Sequence, residues 1–187
     1  MALWQSGTRT AKEWPPMRVA TAIDAFDDTA ALPAAANGDA VPSSERRMVQ
    51  RLFVYWDRLR RGRAIPSMSD IRPEQLPADW SSCFIINVGQ WPDGSGAISH
   101  LGSDLLADAD LGPESEDSTS IPQDTLFGRA VTDLPDVLAT GIPFLGEGSF
   151  RHARGGIMAY RSILLPFGAS PDRVEDILGA IVGRHGK

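Results

Sequence analysis

The chain has 187 residues, a formal net charge of −6 and 42% hydrophobic residues, which is enough apolar material for one domain core. No run of about 18 apolar residues is present that would span a membrane, and the N-terminus has no apolar signal-peptide segment. The single cysteine, Cys83, excludes an internal disulfide and a multi-cysteine zinc site. From the length of the chain and the absence of an apolar membrane or signal segment, we expect one cytoplasmic domain.

Residues 1–42 are rich in alanine, proline and small polar residues, and only residues 19–26 show an apolar rhythm. This composition is typical of a flexible tail, whose short apolar patch could form a helix that docks on the domain or on a partner. We therefore place a single domain at residues 43–187. It divides into an N-terminal helix (43–63), an arm (64–80) and a core (81–187).

Residues 43–63 have the periodicity of an amphipathic helix. At about 100° per residue, one broad face carries seven apolar side chains: Met48, Val49, Leu52, Phe53, Tyr55, Trp56 and Leu59. The opposite side is basic, because residues 45–63 contain seven arginines and only two acidic residues. Pro66, Pro73 and Pro77 prevent a long continuation, so an extended arm with at most one helical turn, at residues 73–76, should follow.

The helix and the arm together carry a recognisable sequence pattern. Residues 55–88, YWDRLRRGRAIPSMSDIRPEQLPADWSSCFIINV, resemble the opening of a bacterial PAS-like family. In that family the signature YW..LR.GR.(L/M)P.R.DIDP..L...L....L(L/I)DV precedes a small sensory domain. The matching positions are Tyr55, Trp56, Leu59, Arg60, Gly62, Arg63, Pro66, Asp70, Ile71, Pro73, Leu76 and Val88, and weaker echoes occur at residues 100–102, 160–167 and 176–179. The resemblance implies a PAS-like fold and a role in signal transduction.

The remaining elements agree with that fold. Runs of β-branched and aromatic residues bounded by turn residues predict five strands, at residues 83–88, 97–101, 142–150, 157–167 and 174–182. Helical spacing predicts a short turn at 103–107 and a longer helix at 124–140, which Pro135 bends or divides. The order predicts an α+β class: a five-stranded antiparallel sheet with helices on one face, preceded by an N-terminal amphipathic helix.

The chain offers little catalytic or metal-binding chemistry. The acidic run at residues 108–117 lacks the EF-hand pattern, because Pro113 and Thr119 occupy the positions that need glycine and a carboxylate. The three histidines have neither the spacing nor the partner ligands of a metal site. The family resemblance would allow haem or flavin, but the helix at 124–140 contains no histidine and Cys83 begins a strand. We predict no enzyme activity, no metal and no cofactor. The predicted function includes a small-molecule ligand, whose identity the sequence does not give.

The resemblance implies that any ligand binds between the sheet and the helices. The side chains predicted to line that cleft are Phe84, Ile86, Leu106, Leu126, Phe127, Met158, Tyr160 and Ser162. The same residues would also serve simply to fill the core. The predicted surface for protein partners is the N-terminal helix, through Leu52, Tyr55, Trp56, Leu59, Arg60 and Arg63.

We therefore expect a non-enzymatic PAS-like sensory or regulatory domain that acts through protein contact. The expected partners are a second copy, in a homodimer formed through the N-terminal helix, and a signalling protein. Nucleic acid and membrane are not expected, because residues 73–128 contain no lysine or arginine to continue a basic surface. Two alternatives stay open: a small metal-assisted enzyme that uses the acidic segment 104–117 with Arg129 or Arg161, and a ligand-free scaffold.

Overall fold

The computed structural model describes residues 18–23, 43–76, 79–91, 97–110, 122–170 and 173–186. In chain order the elements are β1 (Arg18–Ile23), α1 (Ser43–Arg60), β2 (Cys83–Asn87), β3 (Ile98–Leu101), α2 (Ser103–Asp108), α3 (Leu126–Val131), α4 (Leu134–Thr140), β4 (Phe144–Arg151), β5 (Ile157–Phe167) and β6 (Asp176–His185). The arm between α1 and β2 contains the single-turn 3-10 helices Met68–Asp70, Pro73–Gln75 and Trp80–Ser82, of which the second is the predicted turn. No helix within the described ranges is both long and apolar enough to cross a membrane.

The strands form one sheet in the order β1-β4-β5-β6-β2-β3. All the neighbouring pairs among β2 to β6 are antiparallel. The predicted α+β class and five-stranded antiparallel sheet are therefore confirmed. Each predicted strand is present, with ends that differ by a few residues.

A sixth strand, β1, extends this sheet at the β4 edge. It runs parallel to β4, from Arg18 opposite Phe144 to Ile23 opposite Ser149. The sequence analysis assigned these residues to a flexible tail that could form a docked helix, whereas the structure places residues 18–23 in the sheet. The segment RVATAI is rich in β-branched residues, and its pairing satisfies backbone groups of β4 that an open edge would leave without partners.

Helix α1 covers one face of the sheet. Its apolar face packs with Ile163, Leu165 and Phe167 of β5 into one core cluster. Trp56 is 1% exposed, and its indole Nε1 donates a hydrogen bond of 2.8 Å to the carbonyl oxygen of Pro166. The N-terminal helix is thus part of the packed domain and covers one face of the sheet.

Helices α2, α3 and α4 cover the opposite face, where they enclose a second core cluster with the alternate side chains of β5. Pro135 is near the start of α4, so the predicted helix at 124–140 is divided in two, and Gly141 ends α4 in a left-handed conformation with φ 63°. On β6, the ring of Phe84 lies against the bare backbone of Gly179, in the space that a side chain there would occupy. The sheet is therefore covered by helices on both faces.

Candidate functional site

The side of the sheet that faces α2, α3 and α4 collects most of the residues predicted to line a ligand cleft. Six of them belong to one apolar cluster: Phe84, Ile86, Leu126, Phe127, Met158 and Tyr160. Ser162 lies on the same side of β5, because side chains two positions apart share a strand face. Leu106 is half-buried on α2. Ligand binding by these residues stays a prediction, because the same packing would fill a core.

A buried arginine, Arg129 of α3, lies in the same cleft. It is 8% exposed, its Nε donates a 2.9 Å hydrogen bond to the hydroxyl of Tyr160, and its guanidinium carbon lies 5.2 Å from the centre of the Tyr160 ring. The sequence analysis named Arg129 only for the enzyme alternative and missed it as a cleft residue. The signal was its spacing, since Arg129 follows Leu126 by three positions and shares its helix face.

The hydroxyl of Ser162 is a second polar group in the cleft. Ser162 is 1% exposed, and its Oγ has no hydrogen-bond partner among the residues that the structure describes. Gly146 lies opposite it on β4, and a side chain at Gly146 would come within 2.5 Å of Ser162 Oγ and 3.4 Å of Asp133 Oδ2. A buried hydroxyl without a partner costs about 1–3 kcal/mol. A water molecule or a polar ligand atom would remove that cost.

A histidine and a carboxylate fasten the helices to the β4–β5 hairpin. His152 is 2% exposed and its Nε2 lies 3.0 Å from Asp108 Oδ1, while the other oxygen of Asp108 accepts the backbone N–H of Leu126 at 2.7 Å. The backbone N–H of Arg154 donates to His152 Nδ1 at 3.1 Å, which assigns the imidazole proton to Nε2. Both ring nitrogens of His152 and both carboxylate oxygens of Asp108 therefore have hydrogen-bond partners within the chain, which indicates a structural role for the pair.

Two of the carboxylates proposed for the metal-assisted enzyme, Asp104 and Asp108, accept hydrogen bonds within the chain. Asp104 accepts hydrogen bonds from the hydroxyls of Ser81 and Ser82, at 2.6 and 2.9 Å. Residues 111–117 of the acidic segment lie outside the described residues. Among the residues that are described, no group of three histidine, cysteine, aspartate or glutamate side chains is placed to hold a metal ion.

Cys83, at the start of β2, is buried, and its sulfur lies 3.1 Å from the carbonyl oxygen of Asp79. Burial, with a smaller contribution from the Asp79 charge, raises the pKa of the Cys83 thiol to about 12. The thiol is therefore protonated at neutral pH and is a packing residue rather than a nucleophile.

The residues predicted as a protein interface on α1 divide into two groups. Leu52, Tyr55 and Trp56 are 0%, 9% and 1% exposed and belong to the core cluster under α1, so they pack against the sheet, and their role in an interface stays a prediction. Leu59 packs half-buried against the same cluster. Hydrophobic periodicity identifies the apolar face of a helix, but it does not say whether this sheet or another molecule covers that face.

The two predicted interface arginines form ion pairs within the chain. Arg60 pairs with Asp57 and its guanidinium carbon lies 5.2 Å from the centre of the Trp56 ring. Arg63, which is exposed, pairs with Asp70, and this hydrogen bond holds the pKa of the Asp70 carboxyl below its ordinary value. The Arg63–Asp70 pair joins the end of α1 to the arm, whereas the Arg60–Asp57 pair lies within the helix.

An open groove of about 800 Å³ separates the back of α1 from the arm. It is lined by Arg47, Gln50, Arg51, Val54, Tyr55, Arg58, Gln75, Leu76 and Asp79. Asp79, of which only 5% is exposed, accepts hydrogen bonds from Nε and one terminal nitrogen of Arg51. The hydroxyl of Tyr55 accepts the backbone N–H of Arg72 at 2.7 Å, so helix and arm are tied together at the groove.

Comparisons with known proteins support the family resemblance. Residues 44–93, which comprise nearly all of α1, the arm and β2, match a family model described as a PAS domain. The predicted resemblance is thus confirmed in the segment that carries the signature, and the fold is PAS-like. No curated protein matches the chain.

Several solved light-oxygen-voltage (LOV) proteins resemble the chain at low identity. The dark structure of the blue-light photoreceptor Aureochrome1 LOV is 12% identical, with a TM-score of 0.43 over 62% of this chain and 82% of that chain. The LOV protein of Rhodobacter sphaeroides is 14% identical, with a TM-score of 0.42 over 60% of this chain and 68% of that chain. An RNA-binding LOV receptor is 20% identical, with a TM-score of 0.36 over 56% of this chain and 31% of that chain. We draw no functional conclusion from similarities of this size.

Proposed function

Because residues 44–93 match a PAS domain family, we propose that this chain is a non-enzymatic sensory or regulatory domain that acts through contact with other proteins. Its signal would be a small molecule bound in the cleft between the sheet and helices α2 to α4. Its output would be a change in the surface formed by α1 and the arm.

The observation that carries this proposal is the position of β5 between the two cores. Tyr160 and Leu164 of β5 face the cleft, whereas Ile163 and Phe167 pack under α1. Protein interiors are packed as densely as organic crystals, so a displacement on one face of a strand disturbs the contacts on its other face. A ligand that shifts the cleft side of β5 would therefore alter the packing of α1.

Helix α1 and the arm are also each hydrogen-bonded to the chain at the C-terminal end of β5. On the helix side, Trp56 donates to the carbonyl oxygen of Pro166. On the arm side, the backbone N–H of Gly168 donates to the carbonyl oxygen of Pro66 at 2.9 Å. A movement of this end of β5 would act on helix and arm together, which supports the groove side as the place where a signal leaves the domain.

Native mass spectrometry of the full chain combined with hydrogen–deuterium exchange tests the proposal. We expect a co-purified small molecule, and slower amide exchange in α1 with the molecule bound than after its removal. Ser162→Leu, which fills the cleft beside Gly146, should abolish the added mass. The matched control Ser149→Leu, at an exposed position of β4, should retain it.

Other outcomes would favour the alternatives. A clean mass of the chain alone, together with a dimer, would favour the ligand-free scaffold. Turnover that depends on added divalent metal would favour the enzyme. The homodimer stays a prediction, and because the apolar face of α1 is buried, it would have to use the polar back of the helix.

A further inference from the structure

The arginines of α1 and of the residues that follow it differ in whether an acidic side chain of the chain meets their charge. Arg60 and Arg63 are paired with Asp57 and Asp70. Arg58 is exposed in the groove and forms no ion pair with any residue in the described part of the chain. Arg58 is therefore a better site for an external anion than Arg60 or Arg63.

Arg51 is held in place for a second contact. Its guanidinium uses Nε–H and one terminal N–H to reach Asp79, which leaves three of its five N–H donors for another acceptor. The Arg51 side chain is 50% exposed, while that of Asp79 is 6% exposed. Asp79 therefore holds the guanidinium of Arg51 in one orientation, and the exposed part of that guanidinium stays accessible from the groove.

The two arginines have a defined spacing with apolar surface between them. Arg51 and Arg58 are seven residues apart, which places them on one helix face with an axial separation of about 10 Å. Val54 lies between them, and Leu76 of the arm faces the same groove. Gln50 on the helix and Gln75 on the arm add amide groups that both donate and accept hydrogen bonds, as the backbone of a peptide requires.

We propose that the groove between α1 and the arm binds an acidic peptide segment of a partner protein, with two carboxylates about 10 Å apart on either side of an apolar side chain. The apolar strip and the glutamines suit a peptide. A nucleic acid is disfavoured because the chain has a net charge of −6 and no lysine or arginine between Arg72 and Arg129. This inference rests on the proposed output through protein contact and does not depend on a ligand in the cleft.

Fluorescence anisotropy with the full chain tests the inference. The probes are fluorescein-labelled peptides in which two glutamates flank a leucine at several spacings, and matched peptides with glutamine in place of glutamate. We expect the glutamate peptides to bind and Arg58→Glu to weaken the best one by about tenfold or more, because a charge-assisted contact becomes repulsive. Arg61→Glu makes the same change in net charge at an exposed position outside the groove and should change Kd by less than about twofold.

Four results would overturn the inference: no binding of any glutamate peptide, equal binding of the glutamine peptides, equal losses in the two variants, or tighter binding of a single-stranded oligonucleotide. Sedimentation that shows an Arg58-dependent dimer without peptide would also overturn it, because the occupant would then be a second copy. If Arg58→Glu does not fold, Arg58→Ala provides the same comparison. A chain that holds a cleft molecule but binds no acidic peptide would refute this inference and leave the proposed function standing.

Discussion

Replacing Trp56 by alanine tests whether α1 is part of the domain core or a surface for partners. The Trp56 side chain is 1% exposed, its ring stacks with Phe53 at 6.0 Å, and its indole donates to Pro166. Loss of a fully buried tryptophan costs about 3–5 kcal/mol. Because small domains have roughly 5–15 kcal/mol of stability in total, we expect Trp56→Ala to be severely destabilised or unfolded.

The milder variant Trp56→Phe separates packing from hydrogen bonding. Phenylalanine keeps most of the apolar ring but leaves the Pro166 carbonyl oxygen without the indole donor. The pairing of β4 with β5 ends at Leu164, so no residue of β4 pairs with Pro166. A buried acceptor left without a donor costs about 1–3 kcal/mol, so the loss in Trp56→Phe should fall in that range.

Urea unfolding followed by far-UV circular dichroism measures both losses, with the slope m fixed between variants. Arg58→Ala, on the exposed side of the same helix, is the control and should change the free energy of unfolding by no more than about 0.5 kcal/mol. The reasoning would be refuted if Trp56→Ala were as stable as the control while a dimer dissociated, because Trp56 would then be an interface residue.

Three further predictions concern single buried or half-buried groups. Cys83 should not react with a thiol reagent at pH 8 in the folded chain and should react fully in denaturant; fast labelling of the native chain would contradict its raised pKa. Burial, and secondarily the charge of Glu175, raises the pKa of Asp176, so the folded state favours the protonated carboxyl; Asp176→Asn should raise the urea midpoint at pH 7, and this gain should shrink as pH falls through the raised pKa. A gain that grows with acid would refute this assignment. Gly179→Ala should be strongly destabilised because its methyl group would overlap the Phe84 ring, whereas the control Gly89→Ala, with room for a side chain, should change little.

Periodicity predicted the elements of this fold well. The helix at 43–63 is observed as Ser43–Arg60, and the strand predicted at 157–167 is observed as Ile157–Phe167. In both cases the side chains themselves carry the signal, as an apolar stripe at helical spacing or as a long run of β-branched and aromatic residues. For these two elements, local sequence was therefore enough to identify the type of element and its buried face.

What covers each buried face was not readable from the sequence. Trp56 and Pro166 are far apart in the chain, as are Asp108 and His152, and each contact depends on how the whole sheet is arranged. The strand Arg18–Ile23 is an extreme case, because its place in the sheet depends on pairing with β4, a distant segment of the chain. Contacts of this kind are properties of the assembled fold, and periodicity carries no information about them.

The arrangement of the two cores gives a physical reason to connect the cleft with the α1 groove. The hydroxyl of Ser162, which has no partner among the described residues, lies on the cleft side of β5, one residue from Ile163, which packs under α1. Further along the chain, Pro166 accepts a hydrogen bond from Trp56 of α1, and Gly168 donates one to Pro66 of the arm. We therefore expect a ligand atom that bonds to Ser162 to act on a strand that contacts α1 and lies next to the arm, and through them to change the affinity of the groove for an acidic peptide. Since coupling between two sites is reciprocal, the peptide should in turn change the affinity of the cleft for its ligand by the same factor.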